Sequence, residues 1–292
     1  MIDEKANYSY NIYRRGVIRG EIVYLLFVEN GDRFAIKVSK YKSLKTEYES
    51  AKEAFRVLNK YISVPEPLYY SDELGISLMI SRGIRFVPLT KALATKYPNV
   101  FRSGLFEYID TSKEHFVVNH PTNSHSDIVD KMAIYFRGTA ISSLLLEWLG
   151  LIGNRKLNSI SHVKQHGDFG AANVGISSNQ ISVIDWEDHG KLTLPGIDVL
   201  TVCVSYLKVD EKKIERLIYQ KEPDNLSEVI HYFCTVYGMR YELFTELVPL
   251  YLVNFLYLKR KYGYGEEIIN QVEKVALLFF KKVIEERQVQ SK

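Results

Sequence analysis

The chain has 292 residues, 46% hydrophobic and 25% charged, enough for one large domain or two lobes around a substantial core. Its net charge of +3 comes from scattered Lys and Arg, which gives no basic patch for nucleic acid or an anionic membrane. No run approaches the ~18 apolar residues of a membrane span.

Met1-Ile2-Asp3-Glu4-Lys5 lacks the apolar stretch of a secretion signal, so a cytoplasmic protein is expected. The cysteines, Cys203 and Cys234, sit in apolar surroundings and read as buried thiols rather than a disulfide or half of a metal site. Gly16 and Gly20 precede the first strand and form either a phosphate-approaching turn or an ordinary strand entry. Ile22–Val28 is a β-rich run, Asn30-Gly31 a hairpin turn signal, and Arg33–Val38 a second strand. Lys37 lies between apolar neighbours there, and on residue type alone it belongs to the solvent side. Ser43 to about Lys60 reads as a helix whose buried face carries Leu44, Tyr48, Ala51, Phe55 and Leu58. Glu47 falls on that inward face, whereas Glu49 is turned about 200° away by helical geometry. Leu68–Tyr70 and Ile76–Ile80 form a further strand pair, followed by Ser81-Arg82-Gly83.

Residues 90–97 are expected to form a short helix stopped by Pro98, and Phe101–Pro121 an irregular surface segment covering the acceptor side. His115, His120 and His125 recur every five residues around Pro121, a spacing that does not share a helix face for zinc. Asp127 to about Gly150 reads as one helix, in which Gly138 marks a bend or close packing.

His166–Asp188 holds the chemistry. Val174–Ile176 and Ile181–Ile184 flank Ser177-Ser178-Asn179-Gln180, the pattern of a hairpin with a four-residue loop. Pairing Ile176 with Ile181 brings Asn173 and Asp185 together at the open end, and Asp168 stands five residues upstream of Asn173. Two hard oxygen ligands with a separate carboxylate suit a magnesium–nucleotide site and a base. Glu187 and Asp188 are weaker acidic candidates there, with a solvated loop the simpler account. From Val199 onward the chain reads helical, at 199–207, 211–220, 225–237, 240–261 and 266–286, with tyrosines Tyr251, Tyr257, Tyr262 and Tyr264 along it.

His166-Gly167-Asp168 with Asn173, then Ile184-Asp185-Trp186-Glu187, resembles the aminoglycoside phosphotransferase and choline kinase family, the small-molecule branch of the kinase-like fold. Phe34-Ala35-Ile36-Lys37 resembles the family's third strand. The resemblance implies an α+β, bilobal protein-kinase-like fold, with a small β-rich nucleotide-binding N-lobe over residues 1–83 and a larger, mainly helical C-lobe over 84–292. It implies ATP and Mg²⁺, with Asp168 as catalytic base, Asn173 and Asp185 on the metal, and Lys37 on the phosphates. Glu47 would steady Lys37, with Glu49 the alternative; His166 and Asp198 would be structural. The implied reaction transfers the γ-phosphate to a hydroxyl of a small polar molecule. A sugar- or glycan-related acceptor is favoured by Phe169-Gly170 and Leu194-Pro195, an aminoglycoside- or choline-like amine coming second. The rival is a catalytically silent nucleotide-binding module. A protein kinase is weakened by Gly167 and by the lack of Asp-Phe-Gly and Ala-Pro-Glu.

Overall fold

In the computed structural model of the chain, the apolar, β-branched and aromatic runs of the first eighty or so positions, such as Ile22–Val28 and Phe34–Val38, build one antiparallel sheet. The structure describes residues 13–18, 22–29, 32–40, 42–84, 87–89, 96–220, 225–261 and 263–290. The strands are β1 (Tyr13–Ile18), β2 (Ile22–Glu29), β3 (Asp32–Ser39), β4 (Pro67–Glu73) and β5 (Ile76–Arg82), in spatial order β1-β2-β3-β5-β4. Lys37 pairs with Tyr24 on one side and Met79 on the other, so it is central in the sheet. Gly16 does not precede the first strand as expected: it lies within β1, where the register with β2 shifts, while Gly20 and the Asn30-Gly31 turn lie outside the described residues.

One helix, α1 (Lys45–Leu58), crosses this sheet. Its buried residues Glu47, Ser50, Ala51, Ala54 and Leu58 follow helical spacing, and Glu49 is exposed. The chain then passes through Val87–Pro88 (β6) into a larger helical part.

Two further sequence expectations fail here. Lys96 is helical and Tyr97 a bend, so a helix does end before Pro98; Pro98 also opens the next one, α2 (Pro98–His115), because a first-turn proline has no N–H to lose. Residues 101–115 are therefore helical, not irregular. Their period was hidden because Gly104, Thr111 and Ser112 share the buried face with Phe101, Leu105, Tyr108 and Ile109. A Cβ on Gly104 would lie 2.3 Å from Ile181, so only glycine lets α2 approach that strand. Of the short helix expected at 90–97, residues 90–95 lie outside the described residues. The second failure is the single helix at 127–150. It is two, α3 (His125–Tyr135) and α4 (Ala140–Ile152), parted at Gly138, whose φ of +83° no helix accepts. Ser124 and Asp127 form a reciprocal cap at the start of α3.

A short α5 (Asn154–Asn158) leads to the hairpin β7 (Val174–Ser177) and β8 (Gln180–Val183), in which Ile176 pairs with Ile181 as expected, but Ser177 also pairs with Gln180, so the loop is the two residues Ser178-Asn179 and not four. This hairpin joins the two parts of the molecule. β6 pairs with β7 through Val87 and Ile176, and Ser63, after α1, exchanges bonds of 2.8 and 2.9 Å with Ile181 and Val183.

The remaining helices are α6 (Ile197–Tyr206), α7 (Glu211–Glu215) running into a π turn at Arg216–Gln220, α8 (Asn225–Tyr237), α9 (Tyr241–Lys261) and α10 (Glu266–Gln290). α9 packs on α10, α10 on α4, and α2 on α8. Cys203 and Cys234 are buried and form no disulfide. No helix among the described residues is long and apolar enough to cross a membrane.

Candidate active site

On the sheet side, β3 points Lys37 and Ser39 toward α1, so Lys37 is buried at 5% exposure instead of facing solvent. Its ammonium donates to both oxygens of Glu47, at 2.7 and 2.6 Å. This resolves the choice between Glu47 and Glu49. Burial pushes the Glu47 carboxyl upward, against the pull of Lys37. Lys37 also meets Glu187 at 3.3 Å and Asp185 at 3.9 Å, and Lys42 reaches the same Glu187 oxygen at 3.2 Å. Although partly buried, Glu187 is held down to about 2, the two lysines outweighing its desolvation.

On the helical side, the loop His166-Gly167-Asp168 hangs from Asp198. That carboxylate is fully buried at the first turn of α6. It accepts the His166 N–H at 2.7 Å, the Gly167 N–H at 3.0 Å and the Tyr108 hydroxyl at 2.5 Å. Burial and Asp198 push the Tyr108 phenol far above its ordinary range, keeping it a donor. The His166 Nε2 lies 3.0 Å from the Ile184 carbonyl, and its Nδ1 accepts the Asp168 N–H at 3.3 Å. A carbonyl can only accept, so Nε2 carries the proton and His166 has no free nitrogen for chemistry. Its ring is packed edge-on against Phe169 and Trp186. Gly167 has φ +91°, and a Cβ there would stand 2.9 Å from the Asp188 carbonyl oxygen. Glycine is needed at this position on both counts.

Asp168, released into the cleft by this turn, accepts from the Asn173 side-chain amide on Oδ2 at 3.1 Å. The same amide nitrogen bonds the Asp168 backbone carbonyl at 2.9 Å, which leaves Asn173 Oδ1 as a hard oxygen ligand. Ile184 N donates to the Asn173 carbonyl at 3.0 Å, so the hairpin brings the residues before Asp185 alongside Asn173. Asp185 itself sits in the left-handed region at φ +65°, a conformation Asp tolerates better than most residues. Its side chain keeps 38% of its surface at the cleft, yet enclosure by the surrounding protein raises its carboxyl pKa, with Lys37 opposing. Carboxylate oxygens of Glu47, Asp185 and Glu187 lie within 4.8 Å of one another, the only such cluster among the described residues. With Glu47 engaged by Lys37, a divalent cation fits Asp185, Asn173 and, at the margin, Glu187.

Asp188 departs from the solvated-loop expectation. It is 2% exposed, its Oδ1 bonded by Lys191 at 2.7 Å and Lys261 at 3.0 Å. It lines a cavity of about 480 Å³ between α3, the end of α9 and residues 118–123 and 188–193. Lys131, Lys164, Lys191, Lys261 and His120 also line it, and Asp188 is the only carboxylate of the lining.

Two further elements carry no mark in the sequence. Glu53 of α1 reaches across to Lys164, at 2.7 and 2.8 Å, with His189 Nε2 3.5 Å away. His189 and Lys164 hold the Glu53 carboxyl down to about 2. Lys259, in the last turn of α9, is buried with its Nζ 3.7 Å from Asp168 Oδ1. A Lys-Arg-Lys run at a helix C-terminus reads as complement to the helix dipole, so nothing local singles Lys259 out.

No family model matches the sequence, and no curated protein matches it. Solved structures do match the fold. A thermostable mutant of aminoglycoside phosphotransferase APH(4)-Ia in its apo form superposes with a TM-score of 0.63, at 15% identity, over 96% of this chain and 95% of that one. Spectinomycin phosphotransferase APH(9)-Ia, in complex with ADP and spectinomycin, gives 0.53 at 12% identity over 95% and 91%. Macrolide 2′-phosphotransferase MphH from Brachybacterium faecium gives 0.53 at 12% over 92% and 91%. The chain therefore has the bilobal, kinase-like fold of the aminoglycoside phosphotransferases. At these identities the likeness speaks to architecture and leaves the chemistry to the residues.

Proposed function

We propose that the protein is an ATP- and Mg²⁺-dependent phosphotransferase that moves the γ-phosphate to a hydroxyl of a small polar molecule, with residues 1–83 as nucleotide lobe and 84–292 as catalytic and acceptor lobe. The observation that carries the reading is the convergence, across one cleft, of the Lys37–Glu47 pair with Asp168, Asn173 and Asp185. Phosphoryl transfer needs an in-line hydroxyl and neutralised charge more than covalent help.

In this reading Asp168 orients the acceptor hydroxyl and takes its proton. The acceptor oxygen forms a bond to phosphorus as the bond to the β–γ bridging oxygen breaks and ADP leaves with that electron pair. Lys37, fixed by Glu47, holds the phosphates. Asn173 and Asp185 would hold Mg²⁺, which when bound neutralises charge on the β and γ oxygens. The neighbours support nucleotide use: APH(4)-Ia variants are solved with hygromycin B together with ADP or AMP-PNP.

For the acceptor, the 480 Å³ cavity carries no preference: neither Asp168 nor Lys259 lines it, and its lysines are engaged, Lys191 and Lys261 by Asp188 and Lys164 by Glu53. A hydroxylated, sugar- or glycan-related acceptor stays first and an aminoglycoside- or choline-like amine second, on the resemblance carried by Phe169-Gly170 and Leu194-Pro195.

The test is Mg²⁺-dependent ADP release by wild type and Asp168→Asn across sugars, sugar acids, amino alcohols and aminoglycosides. The expectation is an acceptor that stimulates wild type by about 10³-fold or more and leaves the variant silent. ATP binding with no stimulation by any acceptor, and identical behaviour of the variant, would favour the silent nucleotide-binding module.

A further inference from the structure

As phosphoryl moves, negative charge spreads over its three equatorial oxygens, and fixed cations at those oxygens are worth most. On the sheet side Lys37 serves. On the catalytic-loop side, Phe169-Gly170-Ala171-Ala172 between Asp168 and Asn173 contains no cation. One is nonetheless present. Lys259 is only 7% exposed, its ammonium 4.0 Å from the ring centre of Tyr264 and 4.8 Å from that of Phe255. Its 3.7 Å separation from Asp168 Oδ1 is an ion pair beyond hydrogen-bond length. Asp168 Oδ1 is buried and receives no hydrogen bond among the described residues.

The two opposite charges are thus brought together, desolvated and left apart. A lysine serving only as counter-ion would gain by closing to about 2.8 Å, since burial disfavours an ammonium whose protons are not bonded. Two aromatic faces stabilise the charge but accept none of its protons in the geometry of a full hydrogen bond. The ammonium thus stands beside Asp168, against which the reacting group has to sit, with no hydrogen-bond acceptor among the described residues.

We propose that Lys259 is the cation that meets the transferred phosphoryl group on the Asp168 side of the cleft, opposite Lys37. This rests on the phosphotransferase reading above. Lys259 keeps its protons throughout and donates a hydrogen bond to a γ oxygen, while the acceptor proton goes to Asp168. The collar of Phe255 and Tyr264 confines its reach, so it acts on the phosphoryl group rather than on the acceptor at large.

The test uses the full chain and needs no identified acceptor. Mg²⁺-dependent ATP hydrolysis, with water as acceptor, is measured for wild type, Lys259→Met and Lys259→Arg. Affinities for ADP, and for ADP with aluminium fluoride as a mimic of phosphoryl in flight, are measured alongside melting temperature. Lys259→Met is expected to lose about 10²-fold in hydrolysis and a similar factor in affinity for the mimic, with ADP affinity within about twofold of wild type. Lys259→Arg keeps the charge and is expected to recover part of both. Wild-type hydrolysis and mimic affinity in Lys259→Met, or equal losses on ADP and the mimic in both folded variants, would overturn the proposal. A wild-type protein that binds nucleotide but never hydrolyses or transfers phosphate would instead overturn the phosphotransferase reading itself.

Discussion

The two faces of the cleft are held by different physics. On the sheet face the functional groups are fixed by charge: Lys37 between Glu47 and Glu187, Lys42 on Glu187, and Glu53 spanning to Lys164. On the helical face, Asp198 gathers two backbone N–H groups and a phenol, and His166, Phe169 and Trp186 pack ring on ring. The loop bearing Asp168 is therefore positioned by a buried hydrogen-bond network, whereas Lys37 is positioned by ion pairs. Salt screens the buried Lys37–Glu47 pair little and acts mainly where the exposed Lys42 meets Glu187. The difference separates residues whose loss unfolds the site from residues whose loss leaves it folded but ineffective.

The largest effect is expected at Asp198. Asp198→Ala leaves two buried N–H groups and the Tyr108 hydroxyl without an acceptor, at a cost of about 4 kcal/mol. Urea denaturation should show a lower midpoint at unchanged slope; a loss below about 1 kcal/mol would mean that water replaces the carboxylate and the network is not what holds the loop.

On the sheet face the expectation reverses. Lys37→Met should cost about 10²-fold in turnover with little loss of stability, since it leaves Glu47 with a raised pKa that can protonate rather than remain a buried anion. Glu47→Gln keeps the lysine but loosens it, and should cost about tenfold, more in the KM for ATP than in kcat. Melting temperature and steady-state kinetics on the same samples check both. Unfolding of Lys37→Met would place it with the structural group.

The smallest effect falls on the tie between the faces. The folded Glu53 carboxyl, at about 2, lies below its ordinary value of 4.5. Its contribution is therefore complete above pH 4.5 and is lost as pH falls toward 2. Partial exposure reduces it to about 1 kcal/mol. Glu53→Gln should lower the melting temperature at pH 7 by a few degrees, and the gap from wild type should close between pH 4.5 and pH 2. A gap that persists at pH 2 would assign the effect to packing instead.

Much of this was legible in the chain. The spacing from Asp168 to Asn173 to Asp185 is a property of a short hairpin, in which the loop length alone sets which residues meet. Glu47 could be chosen over Glu49 because a helix with one apolar stripe has one inward face. These are local regularities, repeated every two or 3.6 residues. The helix at Pro98–His115 escaped because its buried face uses Gly104, Thr111 and Ser112 where α2 passes close to Ile181, so the apolar period weakens where packing is tightest. The division at Gly138 needed a backbone angle that residue type permits but does not require. Asp188, flanked in the chain by other polar residues, gave no sign that Lys261 would bury it.

Lys259 marks the limit most clearly. It stands ninety-one residues from Asp168, within a basic run that any exposed helix end could carry. The sequence by itself determined most of the strands, the hairpin and the meeting of Asn173 with the residues before Asp185, because hydrogen-bonding period and turn length act between near neighbours. Only the tertiary structure decided which distant charges were brought into contact with them. Helix packing sets those distances, and no pattern within a single segment encodes how two segments meet.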